Sequence, residues 1–355
     1  MKRVAVIGGG INGVMTAWEL SKKGHTVQLF EKGTLMSATS SASTKLLHGG
    51  LRYLEHGQFS LVREALAERA WWIEQAPHLA RPLPILLPIY RKSSRSPLKM
   101  KIGLTIYDGL AGKACLGRHQ KLMPSELLAL LPELKPEGLV GGYRFFDGQM
   151  DDRALGLWAA EQASKAGVTI RENAAVDRVT SSGQVIAGGD WERYDLVYNV
   201  TGPWAEQLLI QSGIESSVRL RLVKGSHLVF DFPIAHGAIL EVPGQRRVAF
   251  ILPYQGHTLV GTTEVAQRLN EPVECSAEET SYLIGFCRSY LHRNIGEANI
   301  KTHFAGLRPL VQSARDAGSN SRESAFEQTD RVITVFGGKW TASRVLASRA
   351  AAMSM

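Results

Sequence analysis

The stretch KRVAVIGGGINGVMTAWELSKKGHTVQLFE, residues 2–31, decides how this chain folds. Residues 4–7 are a short apolar run suited to a buried parallel strand, and Gly8, Gly10 and Gly13 follow on the G-x-G-x-x-G spacing. A helical pattern occupies residues 12–23, Gly24 stops it, and residues 25–30 make a second strand closing on Glu31. Gly8 permits a tight turn, Gly10 lets the backbone approach a pyrophosphate, and Gly13 lets the helix lie close to the strand with its first N–H groups facing the phosphates. Glu31, about 20 residues further on, is placed to accept ribose hydroxyls. The glycines alone fit an ordinary βαβ turn. Strand, glycines, helix, strand and acid in register predict a dinucleotide site, which a nicotinamide or a flavin dinucleotide would fill equally well.

The 355 residues are enough for two domains with sizeable cores, and 44% hydrophobic with 21% charged residues is ordinary for a soluble globular chain. Cys115, Cys275 and Cys287 show no metal or redox spacing and read as reduced thiols of a cytoplasmic protein; no metal site is expected. Lys2 and Arg3 precede an apolar run as in an export signal, but the glycine turn and Glu19 interrupt it. No segment approaches the roughly 18–20 apolar residues of a membrane span. The net charge of +8 suits an anionic substrate, an anionic cofactor or an anionic membrane surface. The basic residues form no stripe with stacking aromatics, which argues against nucleic acid.

Residues 37–55, SATSSASTKLLHGGLRYLE, are crowded with small hydroxyl side chains that suit close wrapping of a phosphate-bearing ligand. A helix is expected over 59–75, a proline-punctuated basic stretch over 81–136, a strand over 142–146 and a helix from the Asp151-Asp152 cap to 166. Short strands are expected over 168–171 and 175–179, and a buried strand over 194–200. The pattern from 218 to 263 alternates, with a hairpin around Gln255-Gly256. Ser276 and Glu279 spell a capping box for a helix over 278–291. An extended strand follows over 301–310, and residues 312–330 read as loop. The last strand, 332–336, is followed by Gly337-Gly338, which open the last helix. The expected fold is α/β: a nucleotide domain in three pieces with a mainly antiparallel domain inserted.

With those pieces placed, the sequence resembles the FAD-dependent glycerol-3-phosphate dehydrogenases of the glycine/D-amino-acid-oxidase-like flavoproteins. The blocks that carry the resemblance are SSASTKLLHGGLRYLE (40–55), VTGPWAEQ (200–207), RLVKGSH (221–227), VGTTEV (260–265), GLRPL (306–310) and VFGGKWT (335–341). It implies a Rossmann-like FAD-binding domain over 1–84, 145–206 and 303–355, and a substrate domain of antiparallel sheet plus helices over 85–144 and 207–302. It implies that Gly8, Gly10, Gly13 and Glu31 hold the ADP half of FAD, with Val176 at the adenine and Thr201-Gly202 along the dinucleotide. Ser40, Ser41, Ser43 and Lys45 would wrap the phosphates and ribityl chain. Leu47, His48, Gly49 and Gly50, with Gly337, Gly338, Lys339, Trp340 and Thr341, would lie at the flavin ring, where the positive end of the last helix favours negative charge.

The same resemblance implies oxidation of sn-glycerol 3-phosphate to dihydroxyacetone phosphate, with electrons passed to a quinone. A phosphate monoester calls for arginine clamps, and the matching positions are Arg52, Arg308 and Arg322, with Tyr53 and Lys339 beside them. His227 is the expected proton-accepting base, His48 the alternative, and Arg308 and Lys339 complete the catalytic set. Two further readings stay open: an oxidase or dehydrogenase of another hydroxy acid or amine, and a non-catalytic flavin-binding protein. Location is expected to be cytoplasmic, with a peripheral contact at the inner face of the membrane left open. The family usually continues into a C-terminal helical domain, expected to be absent here. Trp340 and Ala342 stand where Leu and Thr are usual, and a larger indole with a lost hydroxyl is expected to reshape the pocket.

Overall fold

In a computed structural model, which describes residues 1–312 and 324–354, Arg3–Ile7 and Thr26–Phe30 are parallel neighbours with Val4 opposite Val27. The helix Ile11–Lys22 connects them. Sterics shape the turn between. Gly8 has φ of +110°, and a Cβ there would lie 2.5 Å from the Val200 carbonyl oxygen. A Cβ on Gly13 would fall on the carbonyl oxygen of Gly8, so only glycine lets the helix approach the strand. Leu196–Asn199 and Val332–Phe336 extend this sheet on one side and Thr169–Arg171 on the other, all parallel; Ala325–Thr329 closes one edge antiparallel. Parallel strands covered on both faces are largely apolar, and every residue of VITVF (332–336) is buried. Ile11–Lys22, Asp152–Lys165 and Ser343–Ala352 cover one face through Val14, Leu20, Leu155 and Leu346. Ala205–Gln211 and a small antiparallel sheet of Arg178–Val179, Gln184–Ala187 and Asp190–Arg193 cover the other.

The second sheet has ten strands and is antiparallel except where Gly237–Glu241 runs parallel to Ala80–Tyr90. Its longest pairings join Ala80–Tyr90 to Leu139–Met150 and Arg219–Phe230 to Ile300–Gln312. Both Leu139–Met150 and Ile300–Gln312 run across expected domain boundaries, at 144/145 and 302/303, and lie wholly within this sheet. The hairpin Val248–Tyr254 and His257–Gly261 turns at Gln255-Gly256 as the pattern predicts. The helix Ala277–Tyr290 begins at the Ser276–Glu279 capping box and packs Leu283 and Phe286 on Leu228, Phe230 and Ile251. On the opposite face, Val62 and Leu66 of Phe59–Gln75 and Leu104 and Tyr107 of Pro97–Ala111 pack on Leu83, Ile85 and Leu87. Ile85 and Leu86 face opposite cores, as a period of two requires.

Three differences from the sequence reading have physical causes. Ala80–Tyr90 is a full strand despite Pro82, Pro84 and Pro88. Its second neighbour reaches only Ile85 and Leu86, which leaves most of that edge without ladder bonds to lose. Pro97–Ala111 is a helix inside the basic stretch, begun by the Ser96 side chain accepting from Lys99 N and by Pro97 in the first turn. The last helix starts at Ser343, past Gly337-Gly338; both glycines have positive φ and form an extended turn ahead of it. Among the described residues no helix is long and apolar enough to cross a membrane.

Candidate active site

A cavity of about 1430 Å³ opens from the glycine turn and continues between the two sheets. That exceeds the roughly 300–1,000 Å³ of an ordinary small-ligand site, which leaves room for a dinucleotide and a small second molecule. At its first end the wall is main chain and short side chains. Gly10 is the N-cap of Ile11–Lys22 and has no side chain to cap with; the Ser40 hydroxyl accepts from Ile11 N at 2.9 Å instead. Glu31 accepts from Gly9 N at 2.6 Å and Gly33 N at 2.9 Å, which fixes its carboxylate at the wall. Gly8, Val176, Thr201 and Gly202 line the same end.

At the middle, Ser43, His48, Gly50, Gly337, Gly338, Lys339, Trp340 and Thr341 line the cavity. His48 N donates to the Thr341 hydroxyl, and the Lys339 ammonium lies 3.9 Å from the centre of the Tyr53 ring. The Trp340 indole does not stand out into the space: its ring centre is 5.0 Å from that of Trp72 and its Nε1 donates to Ser40 O. Other expected residues lie behind the wall. Gly13 is under the turn. The Lys45 ammonium is buried against Asp152 at 2.6 Å, and Ser43 donates its hydroxyl to the same carboxylate. Leu47 is in the core, Gly49 N donates to Asp147 and to the Tyr107 hydroxyl, and the Ser41 hydroxyl donates to Ala38 O.

The far end is assembled by strand register. Arg219–Phe230 sets His227 opposite Phe304 on one side and Gly261 on the other, and Val223 opposite Arg308. Three separated blocks, around 227, 262 and 308, therefore meet. The His227 ring stacks on Phe304 at 4.8 Å and its Nε2 lies 3.0 Å from the Thr44 hydroxyl. Burial, then the charges of Arg308 and Lys45, lower its pKa to about 3, so the imidazole is neutral at pH 7. Arg308 lies across Gly225, where a Cβ would collide with its guanidinium, and donates Nη2 to the Thr262 hydroxyl at 2.9 Å and Thr263 O at 3.0 Å. Glu264 faces it at 3.7 Å. Arg52 and Tyr53 line the cavity from the segment Leu51–His56. Arg322 lies outside the described residues.

Sequence reasoning missed a buried set beneath this loop. Asp147 accepts from Arg69 at 2.8 Å, Tyr107 at 2.8 Å and Gly49 N at 3.2 Å. Burial first, and the Asp147 charge second, raise the Tyr107 pKa well above its usual value, so the phenol stays a donor. Nothing local marks these residues, since each comes from a different element. Thr262 and Glu264, by contrast, sat inside a recognisable block.

A glycine turn that a Cβ would fill, an acid fixed beside it by Gly9 N and Gly33 N, and a cavity of this size fit a bound dinucleotide. The model of the FAD dependent oxidoreductase family matches residues 3–353. The chain belongs to that family. FAD is the cofactor of this family. This oxidoreductase is 34% identical to the glycerol-3-phosphate dehydrogenase of Synechocystis sp., over 96% of this chain and 67% of the relative. It is 33% identical to the aerobic glycerol-3-phosphate dehydrogenase of Bacillus subtilis, over 96% of this chain and 64% of the relative. Its fold is similar to that of the Bacillus halodurans glycerol-3-phosphate dehydrogenase complexed with FAD, with a TM-score of 0.80 at 25% identity, over 100% of this chain and 65% of that one. The chain thus spans about two thirds of the length of the relatives it matches.

Proposed function

We propose that this oxidoreductase converts sn-glycerol 3-phosphate to dihydroxyacetone phosphate, with a quinone as the final electron acceptor. The observation that carries the proposal is the convergence of Arg308 and the neutral His227 at the cavity end beyond Lys339 and Gly338. Gly8, Gly10, Glu31, Ser40, Thr201 and Gly202 would hold the ADP half of FAD, and His48, Gly50, Gly337 to Thr341 its ring. When bound, FAD supplies the hydride acceptor. Arg308 and Arg52, with Lys339 and Tyr53, bind and orient the phosphate by charge-assisted bonds. His227 takes the alcohol proton at Nε2, the nitrogen now covered by the Thr44 hydroxyl. A phosphate on Arg308 offsets one of the charges that depress the imidazole, so substrate binding makes His227 a better base. A quinone acceptor would draw the protein to a membrane surface.

Glu264 beside Arg308 supports a second reading, in which an amino acid places its carboxylate on the arginine and its ammonium on the glutamate. Anaerobic titration of the flavin-loaded protein separates the two. Bleaching of the flavin by glycerol 3-phosphate and not by glycerol is the expected result. Bleaching only by an amino or hydroxy acid overturns the phosphate reading, and a bound flavin that no candidate reduces favours a non-catalytic role. Reoxidation of the bleached protein by a soluble quinone analogue, faster than by oxygen, tests the acceptor.

A further inference from the structure

Behind Arg308, on the side away from the cavity, lies a buried polar cluster that the proposed reaction does not use. Glu279, 4% exposed at the start of Ala277–Tyr290, accepts through one oxygen from the hydroxyls of Thr263 and of Ser226, the latter at 2.8 Å. Its other oxygen accepts from Ser276 N at 3.1 Å and pairs with the buried Lys224 ammonium at 2.9 Å. The Thr263 hydroxyl in turn accepts from Ser226 N at 2.8 Å, so Thr263 is tied on two sides. Its carbonyl oxygen is a seat of the Arg308 guanidinium, beside the Thr262 hydroxyl. Arg247 holds the remaining carbonyl of this turn, that of Thr262. Burial would raise the Glu279 carboxyl, but the bonds from Thr263, Lys224 and Ser226 outweigh it and hold the group below its usual pKa. A helix cap needs Ser276 and Glu279; it needs neither Lys224 nor Thr263.

We propose that Glu279, acting through the Thr263 hydroxyl, is a positioning residue that fixes the turn on which Arg308 rests and so sets the direction of its guanidinium toward an anionic substrate. The inference rests on the reading of Arg308 as the phosphate clamp. A planar guanidinium that is free to swing loses part of its affinity for an anion that it must meet with two N–H bonds, without losing its charge.

The test uses the full chain loaded with FAD, and reads KM and kcat for glycerol 3-phosphate, the inhibition constant of inorganic phosphate, and Tm. Thr263→Val keeps volume and removes the hydroxyl; it is expected to raise KM and the phosphate inhibition constant about tenfold, with kcat changed by less than about threefold. Thr263→Ser, which keeps the hydroxyl, returns both to within about twofold of the parent. Ser276→Ala weakens the same helix cap and lowers Tm while leaving KM unchanged. Should Thr263→Val not fold, Glu279→Asp, which keeps the negative charge but shortens its reach to Thr263, carries the same expectation. A raised KM in Arg308→Ala beside unchanged values in Thr263→Val or Glu279→Asp overturns the positioning role alone. A rise in KM in Ser276→Ala equal to that in Thr263→Val overturns it too, since helix stability would then account for both. An unchanged KM in Arg308→Ala overturns the phosphate clamp and this inference together.

Discussion

Around Gly8 and Gly10 the cavity wall is main chain and serine hydroxyl, whereas around Arg308 it is long charged side chains held by other buried side chains. The first end is built mainly from residues 8–40, joined across the sheet by Val176, Thr201 and Gly202, and its constraint is steric: a Cβ at Gly8 or Gly13 would meet main chain. The second end is made from residues that are far apart in sequence and meet only through strand register. Its specificity is electrostatic, and each charge there needs a partner of its own. The glycine end therefore tolerates almost no added atom, and the Arg308 end almost no unpaired charge.

The largest effect is expected at the steric end. Gly13→Val puts a side chain into the Gly8 carbonyl and should destabilise by at least about 4 kcal/mol, with loss of flavin on gel filtration. A variant that retains flavin and Tm would show that the turn is adaptable, and the contrast would fail. Behind the middle of the cavity, where Asp147 sits under Gly49, Arg69→Met leaves that carboxylate buried without its cation, at a cost of about 3–4 kcal/mol in denaturant unfolding.

Acid sharpens the same contrast. His227 has a folded pKa of about 3 against about 6.5 unfolded, so between those values the unfolded chain binds the extra proton and stability falls as pH falls. The parent should lose about 2 kcal/mol more than His227→Asn between pH 7 and pH 5. Equal losses would mean that the ring protonates in place. The smallest effect is at the cavity mouth, where Arg95 bridges Glu55 and Glu241 and so ties down the segment that carries Arg52 and Tyr53. Hydrogen bonding to Arg95, offset in part by burial, lowers the Glu55 pKa to about 2. The stabilisation is present above the unfolded carboxylate value and is lost as pH falls toward 2. Arg95→Met should cost about 1 kcal/mol or less at neutral pH and low salt, shrinking in high salt.

Legibility in the sequence followed the same division. The glycine turn, the acid at Glu31, the capping box of Ala277–Tyr290 and the hairpin at Gln255-Gly256 were readable because each is set by a few neighbouring residues. Ala80–Tyr90 was hidden by its prolines, which only the sparse pairing along its second edge makes harmless. Pro97–Ala111 was hidden by its lysines, although the Ser96-Pro97 start signal was there. Lys45 reads as a phosphate ligand in its motif, yet it is buried against Asp152, more than a hundred residues away.

By itself, then, the sequence determined the dinucleotide turn, its acid and the family, because close backbone approach requires glycine at fixed spacing and such spacing survives in one dimension. Tertiary structure decided which of the buried charges are paired. The register of Arg219–Phe230 against His257–Gly261 and Ile300–Gln312 brings His227, Thr262 and Arg308 together, and the burial of Glu279, Asp147 and Arg69 follows from how helices close over that sheet. A buried charge is defined by what surrounds it, and its surroundings come from the whole chain.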